Sequence, residues 1–299
     1  MFDTDRLVAG VANALVTVHK VTGVVEILAG EVHAAGYVEG VGRAARFTRI
    51  TGIAQLENEY IVSDYGSKCL RSVNYFTHKT ETFAGRCGTG GTDDGSLLSA
   101  RFESPRGITK DPGNPNVIYL LNRVALRKID RSANTVITLP GKHLLNEPEG
   151  LAMNPAGGLL ITSPHGVKQY DLNGMIAWLT GNDKEDAACD ECMLLSARFD
   201  GPVGLRFITP EVLLVADRWN FKLRLVNLTS GIVTAIGAGK GHQDGPYQES
   251  KFQVPQGLAV DNSFIYIGEE PSAGGGVRKL AYSGMCDFLH RFNQMQSNL

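Results

Sequence analysis

The sequence predicts an all-β fold of equivalent four-stranded antiparallel sheets, and three observations predict it. The motif Phe-x-x-Pro-x-Gly-Ile/Leu recurs at residues 102–108, 199–205 and 252–258, with degenerate copies at 47–53 and 145–151. Its glycines, Gly52, Gly107, Gly150, Gly204 and Gly257, are separated by 55, 43, 54 and 53 residues, and a period of that size built from short strands is the signature of a β-propeller. After each Gly-Ile/Leu comes a succession of short apolar or alternating segments bounded by turn residues. The 35 glycines of the 299 residues fall mostly at the turns between those segments, as many short strands require. Six units can be counted, which predicts a six-bladed β-propeller spanning residues 1–299 as a single domain.

Taken in order, unit one supplies three strands, at 7–11, 15–18 and 24–28. The stretch 7–18 is apolar enough to resemble a leader core, but Asp3 and Asp5 precede it where a leader would be basic. It also aligns with later strands, so it is read as structure. Unit two has strands at 52–56, 60–63, 69–74 and 80–84, and unit five repeats the order at 204–208, 212–216, 223–227 and 233–237. Units three, four and six are centred on 117–121, 159–162 and 264–268. One inner strand is missing from unit one. Residues 293–299 are the segment left to supply it, and closing the ring would protect exposed sheet edges.

Before each Phe-x-x-Pro lies a second repeated element, at 40–47, 95–102 and 245–252, with Glu39, Asp94 or Asp244 just before its glycine and Ala-Arg-Phe or Ser-Lys-Phe at its end. The acid-Gly pair makes a tight turn, a short helical turn follows, and Phe drops into the core between blades. Recurrence predicts an architectural role. A basic residue also recurs early in the third strand, as Arg71, Arg127, Lys168, Arg224 and Arg278. Such regular placement predicts ion pairs tying neighbouring blades, worth about 0–1 kcal/mol each at a surface.

These residues resemble the NHL-repeat family. The resemblance rests on the Asp-Gly turn, the Ala-Arg-Phe-x-x-Pro-x-Gly core, then Val-Ser-Asp64 through Leu70-Arg71 or Val-Ala-Asp217 through Leu223-Arg224, closing on Ala84-Gly85 or Gly237. It implies six blades and a binding face, with no single chemistry, since the family and its relatives include protein-binding, RNA-binding and enzymatic members. In the topology it implies, the loops after second strands share one face with the loops joining blades. That face would carry Asp64, Tyr65, Arg123, His165, Arg218, Trp219, Glu269 and Glu270 as a contact rim. For Asp64 and Asp217 the simpler reading is that they hydrogen-bond their own turns. Departures from the repeat mark where a specific site would sit: Ser163-Pro164-His165-Gly166 in blade four, Asn122-Arg123 in blade three and Glu269-Glu270 in blade six.

The five cysteines bear on compartment. The hairpin of residues 69–84 turns near Thr77-His78, placing Cys69 almost directly across from Cys87, and opposed strand residues lie about 4.5–5.5 Å apart, within disulfide reach. Cys189-Asp-Glu-Cys192 has Cys192 where other loops have glycine. A local bridge, a redox pair or a metal pair would each fit that spacing. Zinc would need two further ligands, and no second Cys-x-x-Cys or His-x-x-His exists to supply them. Cys286 is read as a buried thiol. Two bridges would imply an oxidising, extracellular or secreted setting.

Lys plus Arg total 29 against 31 acidic residues, and a near-neutral chain weighs against nucleic acid as the main partner. No apolar run approaches a membrane span. Gly-x-Ser-x-Gly, a phosphate loop and paired carboxylates are all absent from the sequence, and those are the usual marks of catalysis. Of the seven histidines, His19, His33, His78, His143, His165, His242 and His290, His165 alone has a credible axial place. The expectation is a secreted, monomeric, non-catalytic module with no cofactor, binding a protein or glycan. The alternatives are a lyase or hydrolase with axial Ca²⁺ or Zn²⁺ near His165, Glu269 or Glu270 and Asp64 or Asp217, and an RNA-binding propeller.

Overall fold

A computed structural model describes residues 5–123, 125–141, 145, 147–182, 189, 191–270 and 276–281. Cys286, His143, His290 and the expected strand at 293–299 lie outside them. The fold is all-β, a six-bladed β-propeller, with six antiparallel sheets following one another along the chain. Sheet one is β1 (Arg6–Val11), β2 (Ala14–His19) and β3 (Val25–Gly30). Sheet two takes β4 (Gly40–Val41), β5 (Ile50–Gln55), β6 (Glu59–Asp64), β7 (Cys69–Asn74) and β8 (Lys79–Ala84), in the order β4-β8-β7-β6-β5. Sheet three is β9 (Pro105–Lys110), β10 (Val117–Asn122), β11 (Ala125–Asp130) and β12 (Thr135–Thr138). Sheet four is β13 (Leu151–Met153), β14 (Leu159–Ser163), β15 (Gly166–Tyr170) and β16 (Ile176–Gly181). Sheet five has β17 (Glu191–Met193), β18 (Pro202–Thr209), β19 (Val212–Asp217), β20 (Lys222–Asn227) and β21 (Ile232–Ile236), in the order β17-β21-β20-β19-β18. Sheet six is β22 (Pro255–Val260), β23 (Phe264–Glu269) and β24 (Val277–Ala281).

The four-strand expectation thus becomes three to five strands per blade among the described residues. The fifth strand in sheets two and five is the repeated element before Phe, which adds to the outer edge as β4 or β17. Sheet three reduces the same contact to one bridge, Gly95 to Val136. The chain divides into two compact units, residues 1–163 with 168–177, and residues 164–167 with 178–299. Sheets one to three belong to the first and sheets five and six to the second.

Second strands are the most deeply set: all six residues of β10 (VIYLLN) and of β19 (VLLVAD) are buried. A strand covered on both faces reads as a continuous apolar run rather than as alternation, which is how these segments read. Phe47, Phe102, Phe199 and Phe252 are buried as the repeat required. The glycine ending a fourth strand makes room for them. A Cβ on Gly85 would come within 2.7 Å of the Phe102 ring, one on Gly237 within 2.7 Å of Phe252, and both glycines have φ near +100°.

The repeated arginines do more than pair charges. Arg71, Arg127 and Arg224 are fully buried. Arg127 donates to the carbonyls of Arg101 (3.0 Å) and Asp93 (2.9 Å) and to the Asp94 carboxylate (2.8 Å), with its guanidinium 5.3 Å from the centre of the Phe102 ring. Arg71 uses the carbonyls of Arg46, Val38 and Glu81 alone and lies over Phe47. Arg278 donates to the carbonyls of Lys251 and Gln243 and to Asp244, over Phe252. Each clasps the segment entering its own blade. Backbone carbonyls, joined by an ion pair at Arg127, Arg224 and Arg278, take the place of the ion pairs expected between blades.

Candidate functional site

Five blades end the second strand with a side chain that accepts from the backbone of the loop entering the first strand. Asp64 Oδ1 accepts from the N–H groups of Thr48 (2.9 Å) and Arg49 (3.0 Å). Asn122 Oδ1 accepts from Glu103 (2.8 Å) and Ser104 (3.0 Å), and Thr162 Oγ1 from Gly150 (2.7 Å) and Glu149 (3.3 Å). Asp217 Oδ1 accepts from Asp200 N–H (2.8 Å), and Glu269 Oε1 from Gln253 N–H (2.9 Å). Buried backbone donors need acceptors, and this position supplies one in every blade from two to six.

Asp64 and Glu269, which the sequence placed on the rim, are buried here. Asp64 and Asp217 serve the incoming loop and their own turns together: Ser67 of its turn also helps to hold the Asp64 carboxylate, and Asp217 Oδ2 accepts from Asn220 Nδ2 (3.0 Å). Burial pushes the Asp217 carboxyl up to about 6, against the pull of the Asp200 N–H and of Arg224, 3.8 Å away. Burial also raises Asp64, opposed by the N–H donors it accepts from.

The side chains just beyond these caps differ from blade to blade and reach solvent. In the first unit, Tyr65 is half-buried, held by its N–H to Arg49 C=O (2.8 Å). The guanidinium groups of Arg49 and Arg106 lie 5.4 and 5.5 Å from its ring centre, and Arg106 pairs with Glu149 at 2.7 Å. Arg123 is exposed at φ +57°, its N–H donating to Ser104 C=O.

In the second unit the loops of His165 and Trp219 come together through residues 200–201: Gly201 N–H donates to Pro164 C=O (2.8 Å) and Trp219 N–H to Asp200 C=O (3.0 Å). Trp219 is 46% exposed, and the Arg218 guanidinium lies 4.9 Å from its ring centre. Glu270 is half-buried and accepts from Gln256 Nε2 at 3.1 Å. Arg49, Arg106, Glu149, Asp200 and Gly201 were not singled out from sequence. Arg49 and Arg106 fill variable positions inside the Phe-x-x-Pro-x-Gly repeat, and that was the available signal.

Both expected cysteine pairs are bonded, Cys69 to Cys87 with Cα atoms 5.0 Å apart and Cys189 to Cys192 at 6.1 Å. The Cys-x-x-Cys pair is therefore a local bridge that replaces the acid-Gly turn, and Arg224 donates to Cys189 C=O. Among the described residues no three His, Cys, Asp or Glu side chains converge as a metal site, and no helix is long and apolar enough to cross a membrane.

No family model matches the sequence, and no curated protein does. Solved structures similar to it include an auxiliary nutrient binding protein from Bacteroides thetaiotaomicron, at 12% identity over 93% of this chain and 67% of that one, with a TM-score of 0.69. A second auxiliary nutrient binding protein, from Bacteroides ovatus, matches at 17% identity over 93% and 67%, with a TM-score of 0.67. The extracellular domain of a one-component system from B. thetaiotaomicron matches at 13% identity over 93% of this chain and 31% of that one, with a TM-score of 0.53. At such identities the likeness shows the fold alone.

Proposed function

We propose that this chain is a non-catalytic extracellular module that holds a protein or glycan partner on the loops following its second strands. The observation that carries the reading is the division of labour at those loops. The capping position is buried in five blades and spent on backbone, while the next residues, Tyr65, Arg123, His165, Arg218, Trp219 and Glu270, are chemically varied and reach solvent. Varied, solvent-reaching side chains at equivalent loop positions are where a partner would be read. Two disulfides support an oxidising compartment. The names of the similar structures, two nutrient binding proteins and one extracellular domain, support binding outside the cell.

The test is capture of a partner from native extracellular material by immobilised protein, with the bound species identified by mass spectrometry. Trp219→Ala or Arg123→Ala is expected to abolish capture while shifting stability by about 0.5 kcal/mol or less, as exposed substitutions do. Undiminished capture by both variants would remove the site assignment.

A further inference from the structure

We propose that Trp219 is a stacking platform for a neutral pyranose, a sugar ring presented by an oligosaccharide. This rests on the binding-module reading and names the ligand class at one of its loops. The first observation is that the indole is held in place although half exposed. Gly201 lies directly against it at φ +55°, where a Cβ would come within 2.6 Å of the indole Cδ1 and 2.9 Å of Nε1. Any other residue at 201 would push the ring away. Arg218 also lies against the indole, and the loop that bears it is pinned by Trp219 N–H to Asp200 C=O and Phe221 N–H to Arg218 C=O (3.3 Å). A cation against an aromatic ring is worth about 0.5–1 kcal/mol at an exposed site, so the ring is positioned before any ligand arrives.

The second observation is what surrounds the ring. On the adjoining segments, residues 164–165, 200–203 and 217–222, Trp219 is the sole large apolar side chain with substantial exposure. The same segments carry the polar side chains His165, Asp200, Arg218 and Asn220, with the apolar Pro164, Val203 and Phe221 only partly exposed. A protein hot spot wants an anchor set among apolar contacts that exclude water. A lone indole among hydrogen-bonding groups suits a ligand with one apolar C–H face and a polar edge, which is a pyranose. Charge favours a neutral one, because Asp200 and Asp217 on these segments balance Arg218 and Lys222. The exposed apolar residues Met193 and Leu195 of this unit belong to the outer β17 segment rather than to these loops.

The experiment titrates neutral hexasaccharides of glucose, mannose, galactose and N-acetylglucosamine, with oligogalacturonate as the acidic comparison, into the full chain and follows heat release. At least one neutral sugar is expected to bind saturably and more tightly than the acidic one. Trp219→Ala should weaken it about tenfold or more and Trp219→Phe only a few-fold, the scale of a lost aromatic anchor. Gly201→Ala should weaken it as Trp219→Ala does while keeping the indole, with the circular dichroism spectrum and urea midpoint of Trp219→Ala matching wild type. No binding by any neutral sugar, preference for the acidic one, or indifference to Trp219→Ala would each overturn the inference. If the neutral sugars fail while native partner capture still depends on Trp219, the sugar class falls and the binding module stands. If capture is indifferent to Trp219 and Arg123 as well, the site assignment falls with it.

Discussion

Asp217→Asn should stabilise the protein at neutral pH and flatten its stability against pH. Asp217 closes β19 with no exposed side-chain surface, accepting from Asp200 N–H and Asn220 Nδ2. Burial outweighs those donors and the Arg224 charge, and lifts the carboxyl from its ordinary 3.8 to about 6. Between those values the folded protein holds a proton that the unfolded chain has released. Stability therefore falls as pH rises through that window and is fully present only below it. A rise of about 2 in pKa, at 1.36 kcal/mol for each, amounts to roughly 3 kcal/mol. Asparagine keeps one acceptor oxygen for Asp200 N–H without the charge but gives up the acceptor of Asn220 Nδ2, so about 3 kcal/mol is the upper bound of the gain; sheet three already uses it, Asn122 Oδ1 accepting two backbone N–H groups at the same position. Urea unfolding at intervals from pH 4 to pH 7.5 should show the variant more stable by up to about 3 kcal/mol at the top of the range, the gap closing toward pH 4. A variant less stable than wild type at pH 7.5, or a gap that does not change with pH, would mean that the charged Asp217–Arg224 pair is net stabilising and the reasoning is wrong.

Three further outcomes are expected. Arg127→Met takes the side-chain donor from the Arg101 carbonyl, while Asp93 C=O keeps Arg101 N–H and the half-exposed Asp94 carboxylate keeps Thr138; a loss of about 1–3 kcal/mol in urea unfolding is expected for an acceptor left unsatisfied, and an unchanged midpoint would refute the clasp. Gly85→Ala puts a methyl 2.7 Å from the Phe102 ring at φ +90°, so a cost of about 2–3 kcal/mol should appear as a lowered midpoint; a neutral result would show that the Phe socket is loose. Removing the Cys69–Cys87 bridge by double substitution to Ala should cost about 3 kcal/mol, because it closes 18 residues, whereas the Cys189–Cys192 bridge closes three and should cost about half as much. Equal losses would contradict the chain-entropy account.

Much of the fold was legible because blades two, three, five and six solve the same packing problem with the same Phe and Arg residues. Phe102 needs Gly85 beneath it and Arg127 over it, and the same set recurs three blades on as Phe252, Gly237 and Arg278. Short edge strands were not legible: β4 and β17 are two and three residues long, too short for period-two alternation to register. First strands also begin earlier than the apolar pattern, β5 at Ile50 and β18 at Pro202, because the loop held by Asp64 or Asp217 is already extended before the glycine. The site was legible only as a list. Asp64 and Tyr65 are adjacent in sequence, yet one is spent on Thr48 and Arg49 and the other is stacked under two guanidinium groups. Residue type does not distinguish those fates; burial does.

A departure from a repeat is therefore an incomplete pointer to function, and the second unit supplies both sides of the comparison. Cys192 replaces a glycine that recurs as Gly40, Gly95 and Gly245, which makes it as conspicuous a departure as His165. Its bond to Cys189 closes the same loop by covalent means, and Arg224 grips that loop through Cys189 C=O much as Arg127 grips its own through Asp93 C=O. The departure changes the chemistry and keeps the architecture. Trp219 differs in kind. Removing its indole would leave the Asp217 cap, the Asp200 C=O contact to its N–H and the Arg224 clasp intact, because each is made by backbone or by another side chain. The indole is held by a left-handed glycine beneath it and a guanidinium against it, yet none of the blade's repeated contacts passes through it, and an ordered, half-exposed aromatic outside the repeat's own architecture is where a ligand should be sought.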